Sequence, residues 1–556
     1  MASNDSIGAM GWPSGPNPFL GATIGGMLTA LAERSPAREA IVFPDRRITY
    51  ADFHREARRY ARALSALGVK KDEKVALWLP NRPEWLFLQY ACAMIGAVVV
   101  GLNTRYKAHE LAYILEQSES TTLVLTDHLG PVDYLETVHQ VLPGLLDSEP
   151  GALEVEGFPL LRHVIVDADD PYPGCLRLSE VVEGGEGPEP DLTAITPEDP
   201  FTILYTSGTT SFPKGAVISH RNCLPHGWWC GEVIRMSEAD RVLHALPFSG
   251  TWGGLCIPLA TFTHGAALVV MESFEPAVAL RLMEQERISV WNAVDAMAVA
   301  VLEHPDLARR DRSALRTGGF ATTGGGVHGL FEAVAETIGV PQAFQPYGMT
   351  EVNAMAMVHD LDEPLDSRVL PGVWPADGIE ARVVDPDTGQ DRPAGEEGEL
   401  WFRGRLVTRG YYKKPEETAK AFTPDGWFKS GDLAVRDAGG RIIFRGRLRE
   451  VLRISHFMVA PGEIEAFIQT HPKVLQAFVI GVPDARTNEA AVAYVIPRPG
   501  EGLTEDEVIA HCKGRIASFK VPRAVRIVTD VPRTPGPHGD KVQKAKLREM
   551  FLAESS

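Results

Sequence analysis

The most informative part of this chain is Tyr205-Thr206-Ser207-Gly208-Thr209-Thr210-Ser211-Phe212-Pro213-Lys214-Gly215. It combines hydroxyl side chains, glycines and a single lysine. Small side chains let backbone N–H groups approach the oxygens of a polyphosphate, hydroxyls donate further hydrogen bonds, and the lysine ammonium adds a positive charge. The composition therefore predicts a phosphate-binding loop with ATP as the ligand. The alternative is a flexible surface turn, which the same residue types also form.

The order of residues in this loop differs from that of the usual phosphate-binding loop. That loop follows the pattern G-x-x-x-x-G-K-[ST] and opens a helix. Here Lys214 precedes Gly215, and the chain continues into the run Ala216-Val217-Ile218-Ser219, which predicts a β-strand. The loop is therefore not a Walker A motif.

Length, composition and charge limit the class of protein. With 556 residues, 44% of them hydrophobic, the chain is too long for one core and predicts two or more domains. A formal net charge of -18 argues against a nucleic-acid partner. The N-terminus lacks a basic region followed by an apolar segment, and the apolar run at 90–102 is shorter than the roughly 20 residues of a membrane span. We expect a cytoplasmic protein without a membrane span.

Six cysteines are scattered without a C-x-x-C pair, as is typical of a reducing compartment. Cys223, His226 and Cys230 have i, i+3, i+7 spacing, which on a helix places three zinc ligands on one face. The alternative is a packed apolar face, and the neighbouring Trp228 and Trp229 favour it.

The organisation of the chain predicts an α/β fold. Helical patterns alternate with short apolar runs such as 74–79 and 122–126, from Met27 to about residue 170 and again from about 200 to 370, which indicates βα units around mostly parallel sheets. The polar segment 183–190 is a surface connection between these regions. We expect both regions to share one large lobe.

After Pro371 the pattern changes to short strands and turns. Residues 433–436 and 441–444 are joined through Asp437-Ala438-Gly439-Gly440, which predicts a hairpin in a β-rich subdomain. Beyond about 450 the pattern is that of a small α+β domain, with strands at 477–482 and 490–496 and a helix at 505–515.

Four further segments carry polar side chains suited to a nucleotide. The first is Gln345-Pro346-Tyr347-Gly348-Met349-Thr350-Glu351, which alone is weak evidence. The next two, Gly431-Asp432-Leu433 and Gly446-Arg447-Leu448-Arg449, flank the predicted hairpin and offer a carboxylate for a ribose diol and a cation for hydroxyl or phosphate oxygens. The fourth contains Lys541 and Lys544 near the C-terminus. Taken singly, the last three have plainer explanations: a turn aspartate, an exposed arginine and a solvated helix face.

Taken in chain order, these segments resemble the adenylate-forming superfamily, which includes acyl-CoA synthetases, adenylation domains of peptide synthetases and firefly-type luciferases. The match covers nearly the whole chain. The resemblance implies a large N-terminal lobe over residues 1–448 that carries the carboxylate and ATP. It also implies a small, mobile C-terminal domain over residues 449–556 that rotates between two catalytic poses.

The resemblance also implies roles for individual residues. For the β- and γ-phosphates it implies Thr206, Ser207, Gly208, Thr209, Thr210 and Lys214. For the adenine it implies the stacked ring of Tyr347, with Gln345, Gly348 and the small-residue loop Gly324, Gly325 and Gly326. The remaining matches are Thr350 and Glu351 for the α-phosphate and Mg²⁺, Asp432 and Arg447 for the ribose, Arg449 for the hinge, and Lys541 for charge stabilisation during adenylation.

Three features depart from the family pattern. Ser211 stands in the phosphate loop where glycine is common, a small polar change that we expect to be tolerated. Residues 535–540 intervene where the family commonly has glycine directly before the catalytic lysine; Lys541 keeps its register with Lys544, and Lys544 is the alternative. His456 occupies the place of a glycine that lines the pantetheine passage in CoA-forming relatives. An imidazole adds bulk there. It either blocks thioester formation, or points away or hydrogen-bonds coenzyme A.

The expected substrate is an apolar monocarboxylic acid. Gly348 matches a position where acetate-specific relatives carry a tryptophan that closes the acyl pocket, so an acid larger than acetate is expected. The segment around Ser249 and Trp252 resembles a pocket-lining loop, although Trp252 is equally consistent with a core residue. Met349, which follows Gly348, is expected in the same pocket. We expect a medium-chain, alicyclic or aromatic acid.

Three hypotheses follow. The leading one is an ATP-dependent acyl-CoA ligase that uses Mg²⁺ and coenzyme A. The second is an adenylate-only enzyme that passes the acyl group to an amine or a carrier protein. The third is a non-catalytic binding protein, against which the joint presence of the matched residues argues. The sequence leaves open whether the chain forms a homodimer.

Overall fold

The computed structural model describes residues 16–151, 153–206, 213–321, 329–454, 457–484, 486–534 and 541–554. Among them, no helix combines the length and the apolar character that crossing a membrane requires.

The described residues alternate between strands and helices along the whole chain. The strands up to residue 344 are β1 Glu39–Phe43, β2 Arg46–Thr49, β3 Lys74–Trp78, β4 Val98–Gly101, β5 Ser120–Thr126, β6 His128–Leu129, β7 Val132–Asp133, β8 His163–Asp167, β9 Leu176–Arg177, β10 Pro200–Thr206, β11 Lys214–Ser219, β12 Arg241–His244, β13 Ala267–Val270, β14 Val290–Trp291, β15 Ala293–Val294, β16 Thr317–Ala321 and β17 Gln342–Phe344. The later strands are β18 Met357–Val358, β19 Gly372–Pro375, β20 Ile379–Val384, β21 Glu397–Gly404, β22 Phe428–Arg436, β23 Ile442–Arg447, β24 Leu452–Ile454, β25 Phe457–Val459, β26 Val474–Asp484, β27 Asn488–Pro497, β28 Ala524–Ile527, β29 Arg533–Thr534 and β30 Lys541–Val542. The α-helices are α1 Ile24–Arg34, α2 Tyr50–Ala66, α3 Pro83–Ile95, α4 Ala108–Ser118, α5 Tyr134–Val141, α6 Leu178–Glu183, α7 His220–Val233, α8 Ile257–Thr263, α9 Pro276–Gln285, α10 Asp295–Leu302, α11 Leu330–Ala333, α12 Leu365–Arg368, α13 Pro415–Ala421, α14 Pro461–Gln469, α15 Glu505–Cys512 and α16 Lys544–Glu554.

The first sheet has the order β11-β10-β4-β3-β5-β8-β9. All neighbouring strands in it are parallel except β10 and β11, which form a hairpin on either side of the predicted phosphate-binding loop. Strands β4 and β5 are buried at every residue, as expected of parallel strands covered on both faces. The runs at 74–79, 122–126 and 216–219 are confirmed as strands.

The second sheet has the order β15-β16-β14-β12-β13-β1-β2, with β17 added beside β16. Strands β1 and β2 of this second sheet come from the region predicted at 27 to about 170. Strands β10 and β11, from the region predicted at about 200 to 370, complete the first sheet. The two regions are therefore interleaved, and together they form the single lobe that the sequence predicts. Side chains from both sheets share one apolar core with α2, α3, α7 and α8, including Phe53, Tyr90, Trp229 and Phe262.

Segment 183–190 connects the two regions with mostly exposed residues. Its glycines also pack closely on helix α2. A Cβ on Gly187 would lie 2.1 Å from the carbonyl oxygen of Arg62, and one on Gly185 would lie 2.5 Å from Cα of Ala63. The glycines are therefore required for contact with the lobe.

The third sheet is antiparallel with the order β18-β19-β23-β22-β21-β20, which confirms the β-rich subdomain. Its β22–β23 hairpin is the predicted one. Asp437 closes the turn by accepting from the backbone N–H groups of Gly439 and Arg441, and Gly440 has φ of 88°. A register shift between Leu433 and Ala434 places Asp432 opposite Arg447.

The C-terminal region builds its own sheet, in the order β25-β24-β27-β26 with β28 beside β27. Its apolar clusters are separate from the main core. Helix α15 ends three residues before the predicted end, ahead of Gly514 at φ 73°. The domain boundary predicted at 448/449 falls in the short 3₁₀ turn Leu448–Glu450 between β23 and β24, and it stays a prediction.

Candidate active site

The predicted phosphate loop connects two adjacent strand ends. Thr206 and Lys214 are direct cross-strand partners, and the hydroxyl of Thr206 donates to the carbonyl of Lys214 over 3.4 Å. Ser207, Gly208, Thr209 and Thr210 lie outside the described residues, as do Gly324, Gly325, Gly326 and His456. What the structure defines is therefore the base of the loop.

The Lys214 side chain at this base is held by two neighbours. Its ammonium lies 2.5 Å from a carboxylate oxygen of Glu417 and 5.2 Å from the ring centre of Tyr411. The hydrogen bonds from Lys214 and then Lys420 lower the pKa of Glu417 to about 2. Lys214 is thus ordered at the loop by an ion pair that an incoming phosphate can replace.

Glu351 lies next to the same tyrosine. The hydroxyl of Tyr411 donates to Oε1 of Glu351 over 2.8 Å, and the residue is 8% exposed. Tyr411 reaches this position because the backbone of Tyr412 donates to Gly215 and Ala216 bridges Tyr411, so residues 411–412 run beside β11. Lys214, Tyr411 and Glu351 therefore form one continuous polar chain.

Thr350 and Glu351 belong to a 3₁₀ turn, Thr350–Val352, that is followed by a strained segment. Asn353 and Ala354 have φ of 59° and 71°, a region that non-glycine residues rarely adopt. The hydroxyl of Thr251 donates to that of Thr350 over 2.9 Å. This strained backbone lies next to the predicted α-phosphate ligands, and backbone strain of this kind clusters at functional sites.

A backbone contact that the sequence did not reveal requires glycine at position 348. A Cβ at this position would lie 1.3 Å from the carbonyl oxygen of Ala354. The backbone of the strained segment therefore occupies the space of a side chain, and the glycine is needed for this close approach. Gln345, three residues earlier, is buried and anchors the segment through its N–H, which donates to the carbonyl of Arg368.

Tyr347 joins this segment to the β22–β23 hairpin. Its hydroxyl donates to Oδ2 of Asp432 over 2.6 Å, and its ring packs near Phe402 and Phe444. The residue is 6% exposed, which leaves little ring surface for a purine. Stacking of adenine on Tyr347 stays a prediction.

Asp432 is the most deeply buried carboxylate of the site, at 1% exposure. Burial raises the pKa of Asp432 to about 6, and the charge of Glu351 adds to this rise. The guanidinium of Arg447, 2.8 Å from Oδ1, and the hydroxyl of Tyr347 act in the opposite direction. Among the described residues, none donates a well-aligned hydrogen bond to Oδ1. A buried acceptor in this state suits a ligand hydroxyl, such as that of a ribose.

A narrow cavity lies beside the 3₁₀ turn, and Trp252 is part of its wall. The lining residues are Cys230, Ile234, Met236, Trp252, Cys256, Ile257, Ala260, Asn292, Phe344 and Met355. Trp252 begins a π-helical turn, Trp252–Cys256, that continues into α8. The other predicted pocket residues, Ser249, Gly348 and Met349, are not among those that line this cavity.

In the C-terminal region the two candidate lysines differ. The ammonium of Lys544 lies 2.6 Å from Oε1 of the buried Glu465 and 3.6 Å from Glu450. Burial tends to lower the pKa of Lys544, but these carboxylates raise it overall. Lys541 lies in the short strand β30, and the predicted hinge residue Arg449 lies in the 3₁₀ turn Leu448–Glu450. The side chains of these two residues are not among those that the structure describes. The fixed ion pairs of Lys544 favour Lys541 as the catalytic lysine, which stays a prediction.

Sequence reasoning missed Tyr411, Glu417 and Thr251. The only available signal was the pair Tyr411-Tyr412 after a glycine, which is too common to be specific. Glu417 lies in the acidic first turn of α13, a pattern typical of an exposed helix, and nothing in the sequence connects it to Lys214.

Two family models match the chain. The AMP-binding enzyme model matches residues 28–412, and the AMP-binding enzyme C-terminal domain model matches residues 463–536.

Relatives resemble the chain over nearly its full length. A putative acyl-CoA synthetase of Bacillus subtilis, YngI, is 36% identical over 97% of this chain and 99% of its own length. The mitochondrial medium-chain acyl-CoA ligase ACSF2 of Danio rerio is 31% identical over 96% of this chain and 89% of its own. Among solved structures, the anthranilate CoA ligase AuaEII in complex with anthranoyl-AMP has a TM-score of 0.84 at 26% identity, covering 97% of this chain and 99% of that one. The chain therefore belongs to the AMP-binding enzyme family, within the acyl-CoA synthetase branch of the adenylate-forming superfamily.

Proposed function

We propose that this protein is an ATP-dependent acyl-CoA ligase for an apolar monocarboxylic acid larger than acetate. In the first half-reaction a carboxylate oxygen attacks the α-phosphorus of ATP, which forms acyl-AMP and releases pyrophosphate. In the second, the thiol of coenzyme A attacks the acyl carbon and AMP leaves. The observation that carries the proposal is the convergence of Lys214, Thr350, Glu351 and Asp432 from three distant motifs.

This convergence suits phosphoryl chemistry. Attack on the α-phosphorus needs little covalent help from a protein; it needs positioning and positive charge near the phosphate oxygens. Lys214 is positioned at the loop base by Glu417 and Tyr411. Asp432 presents Oδ1, which pairs with Arg447 and accepts no well-aligned hydrogen bond from a described residue, for the ribose. We assign Lys541 to the α-phosphate during adenylation.

The oxygen donors at Glu351 fit a magnesium ion. Mg²⁺ prefers carboxylate and other hard oxygen ligands and usually keeps several waters. Glu351 offers a carboxylate of which Oε1 is oriented by Tyr411, and the Thr350 hydroxyl is adjacent in the same turn. When bound, the ion would neutralise charge on the phosphate oxygens. The role of the chain itself is to fix the direction of the carboxylate.

The cavity supports an apolar acid. No lining residue carries a charge, and the one amide, Asn292, already accepts a hydrogen bond from the N–H of Gly319 through Oδ1. The cavity encloses about 20 Å³, roughly the space for one water. An acyl chain therefore enters only if side chains move, and Met236 and Met355 are flexible enough to do so. We propose a medium-chain, alicyclic or aromatic acid, in line with the names of the relatives.

A groove in the C-terminal domain supports coenzyme A as the acceptor. The groove has a volume of about 430 Å³ and includes Arg486, Lys513 and Arg523 in its lining. Arg523 is paired with Asp484, while Lys513 is exposed. Cations around a groove of this size suit the phosphates of a nucleotide such as coenzyme A.

The proposal is tested with a panel of apolar acids, ATP and Mg²⁺, with and without coenzyme A. Pyrophosphate release and acyl-CoA formation are followed, the latter by mass spectrometry. Formation of acyl-CoA that requires ATP supports the proposal. Acyl-AMP and pyrophosphate without thioester would replace it by the adenylate-only hypothesis, and no response to ATP with any acid would contradict both.

A further inference from the structure

Three metal-binding side chains meet at the cavity that is proposed for the acyl group. Cys230 and Cys256 line this cavity, and neither half-reaction uses them. His226 and Cys230 lie one turn apart on α7, and Cys256 ends the π-helical turn before α8. All three residues are buried, at 2%, 2% and 4% exposure. One ligand atom from each lies within 4.8 Å of the other two.

The two separations that involve Cys230 match those around a shared tetrahedral ion. Zinc binds sulfur at about 2.3 Å and nitrogen at about 2.0 Å, so tetrahedral angles place two sulfurs about 3.7 Å apart and a sulfur about 3.5 Å from a nitrogen. In the structure Sγ of Cys230 lies 3.5 Å from Sγ of Cys256 and 3.4 Å from Nε2 of His226. A disulfide would require the sulfurs to approach to about 2.05 Å.

The structure also decides which cysteines take part. Cys223, which the sequence spacing grouped with His226 and Cys230, directs its thiol to the carbonyl of Ser219 over 3.3 Å and lies outside the cluster. Cys256, distant in sequence, takes its place. The packed apolar face and the cluster coexist, because the remainder of α7 contributes Trp229 to the core.

The chemistry of the site favours a divalent ion over an empty cluster of polar atoms. Two thiolates neutralise a divalent cation, so the complex brings no net charge into the apolar interior. Because Cys230 and Cys256 line the cavity, which has room for about one water, a fourth ligand is available on that side.

We propose that His226, Cys230 and Cys256 form a binding site for a thiophilic divalent ion of the zinc type. Each thiol loses one proton to solvent when the ion binds, and water from the cavity fills the fourth position. The proposal does not rest on the ligase function, because binding is measured without acid, ATP or coenzyme A.

The experiment uses the purified full-length chain after treatment with a chelator. Zn²⁺ is added, excess ion is removed by desalting, and bound zinc is counted by mass spectrometry; Co²⁺ is added in parallel to detect thiolate-to-metal charge-transfer absorption. We expect one ion per chain and release of two protons in weakly buffered solution. Cys230→Ser and Cys256→Ser should weaken binding roughly a hundredfold or more, whereas the matched control Cys223→Ser should bind like the wild type.

X-ray absorption spectroscopy of the zinc-loaded wild type identifies the ligands directly, so this test does not depend on whether the variants fold. Two sulfur ligands in the first shell support the site. A shell without sulfur, no charge-transfer band with Co²⁺, or equal loss of binding in Cys223→Ser would each overturn it.

Discussion

The hydroxyl of Tyr347 donates a hydrogen bond to Oδ2 of Asp432 over 2.6 Å, so the residue predicted to contact adenine holds the carboxylate predicted to contact the ribose. One oxygen of Asp432 is thereby fixed, and Oδ1 stays available beside Arg447. A single hydrogen bond thus couples two motifs that are separated by more than eighty residues in sequence.

This relationship predicts a pH dependence of ATP binding. Burial raises the pKa of Asp432 to about 6, so the carboxylate is charged above this pH and takes up a proton as the pH falls through it. Protonation weakens acceptance of a ribose hydroxyl, and KM for ATP should rise below about pH 6. Asp432→Asn should have a raised KM that no longer changes in this range. Because ATP itself titrates equally in assays of the wild type and of Asp432→Asn, the difference between their pH profiles reports the titration of Asp432. The control is Asp425→Asn, which changes an exposed aspartate of the same subdomain.

Lys214→Ala should lower kcat/KM for ATP by roughly 10²–10³-fold, because a cation aimed at the developing phosphate charge is lost. Lys420→Ala is a matched control, since Lys420 also pairs with Glu417 but lies at the exposed surface. Pyrophosphate release measures both. An equal loss in Lys420→Ala would assign the effect to Glu417 and contradict the phosphate role of Lys214.

Tyr411→Phe should raise the Mg²⁺ concentration needed for half-maximal adenylation about tenfold, because the hydroxyl that orients Glu351 is removed and a hydrogen bond to a charged group contributes about 1.5–3 kcal/mol. The adjacent Tyr412→Phe is the control, since its hydroxyl donates to Glu119 instead. If both variants shift the Mg²⁺ requirement alike, the orienting role of Tyr411 is wrong.

Lys541→Ala and Lys544→Ala should separate catalysis from stability. The first should depress adenylation strongly and leave attack of coenzyme A on preformed acyl-AMP less affected. The second should leave the buried Glu465 without its cation and lower the free energy of unfolding by about 3 kcal/mol. Half-reaction rates and thermal unfolding are measured for both. Equal losses of both half-reactions in Lys541→Ala would refute its assignment to adenylation.

Trp252→Phe should enlarge the cavity and raise kcat/KM for bulkier acids by roughly tenfold relative to smaller ones. Trp291→Phe is the control, because Trp291 is fully buried but does not line the cavity. A panel of acids of increasing size gives the ratio for each variant. An unchanged ratio in Trp252→Phe would show that the cavity does not hold the acyl group.

Elements with local signals could be predicted from the amino-acid sequence. Apolar, β-branched runs such as 122–126 predicted strands, since a fully buried strand needs an apolar side chain on both faces. The turn residues 437–440 predicted the hairpin for an equally local reason. The order of the motifs also predicted the family, because residue types suited to phosphate and ribose are visible without knowledge of their contacts.

Contacts between distant segments became visible only in the folded chain. Local patterns indicate that a face is buried but not what covers it, so the exchange of strands between the two parallel sheets could not be predicted. The same reason explains why Glu417 was missed as the partner of Lys214, and why Cys256 was missed as the neighbour of Cys230. The need for Gly348 arises from a backbone carbonyl six residues away, and that contact exists only once the chain has folded.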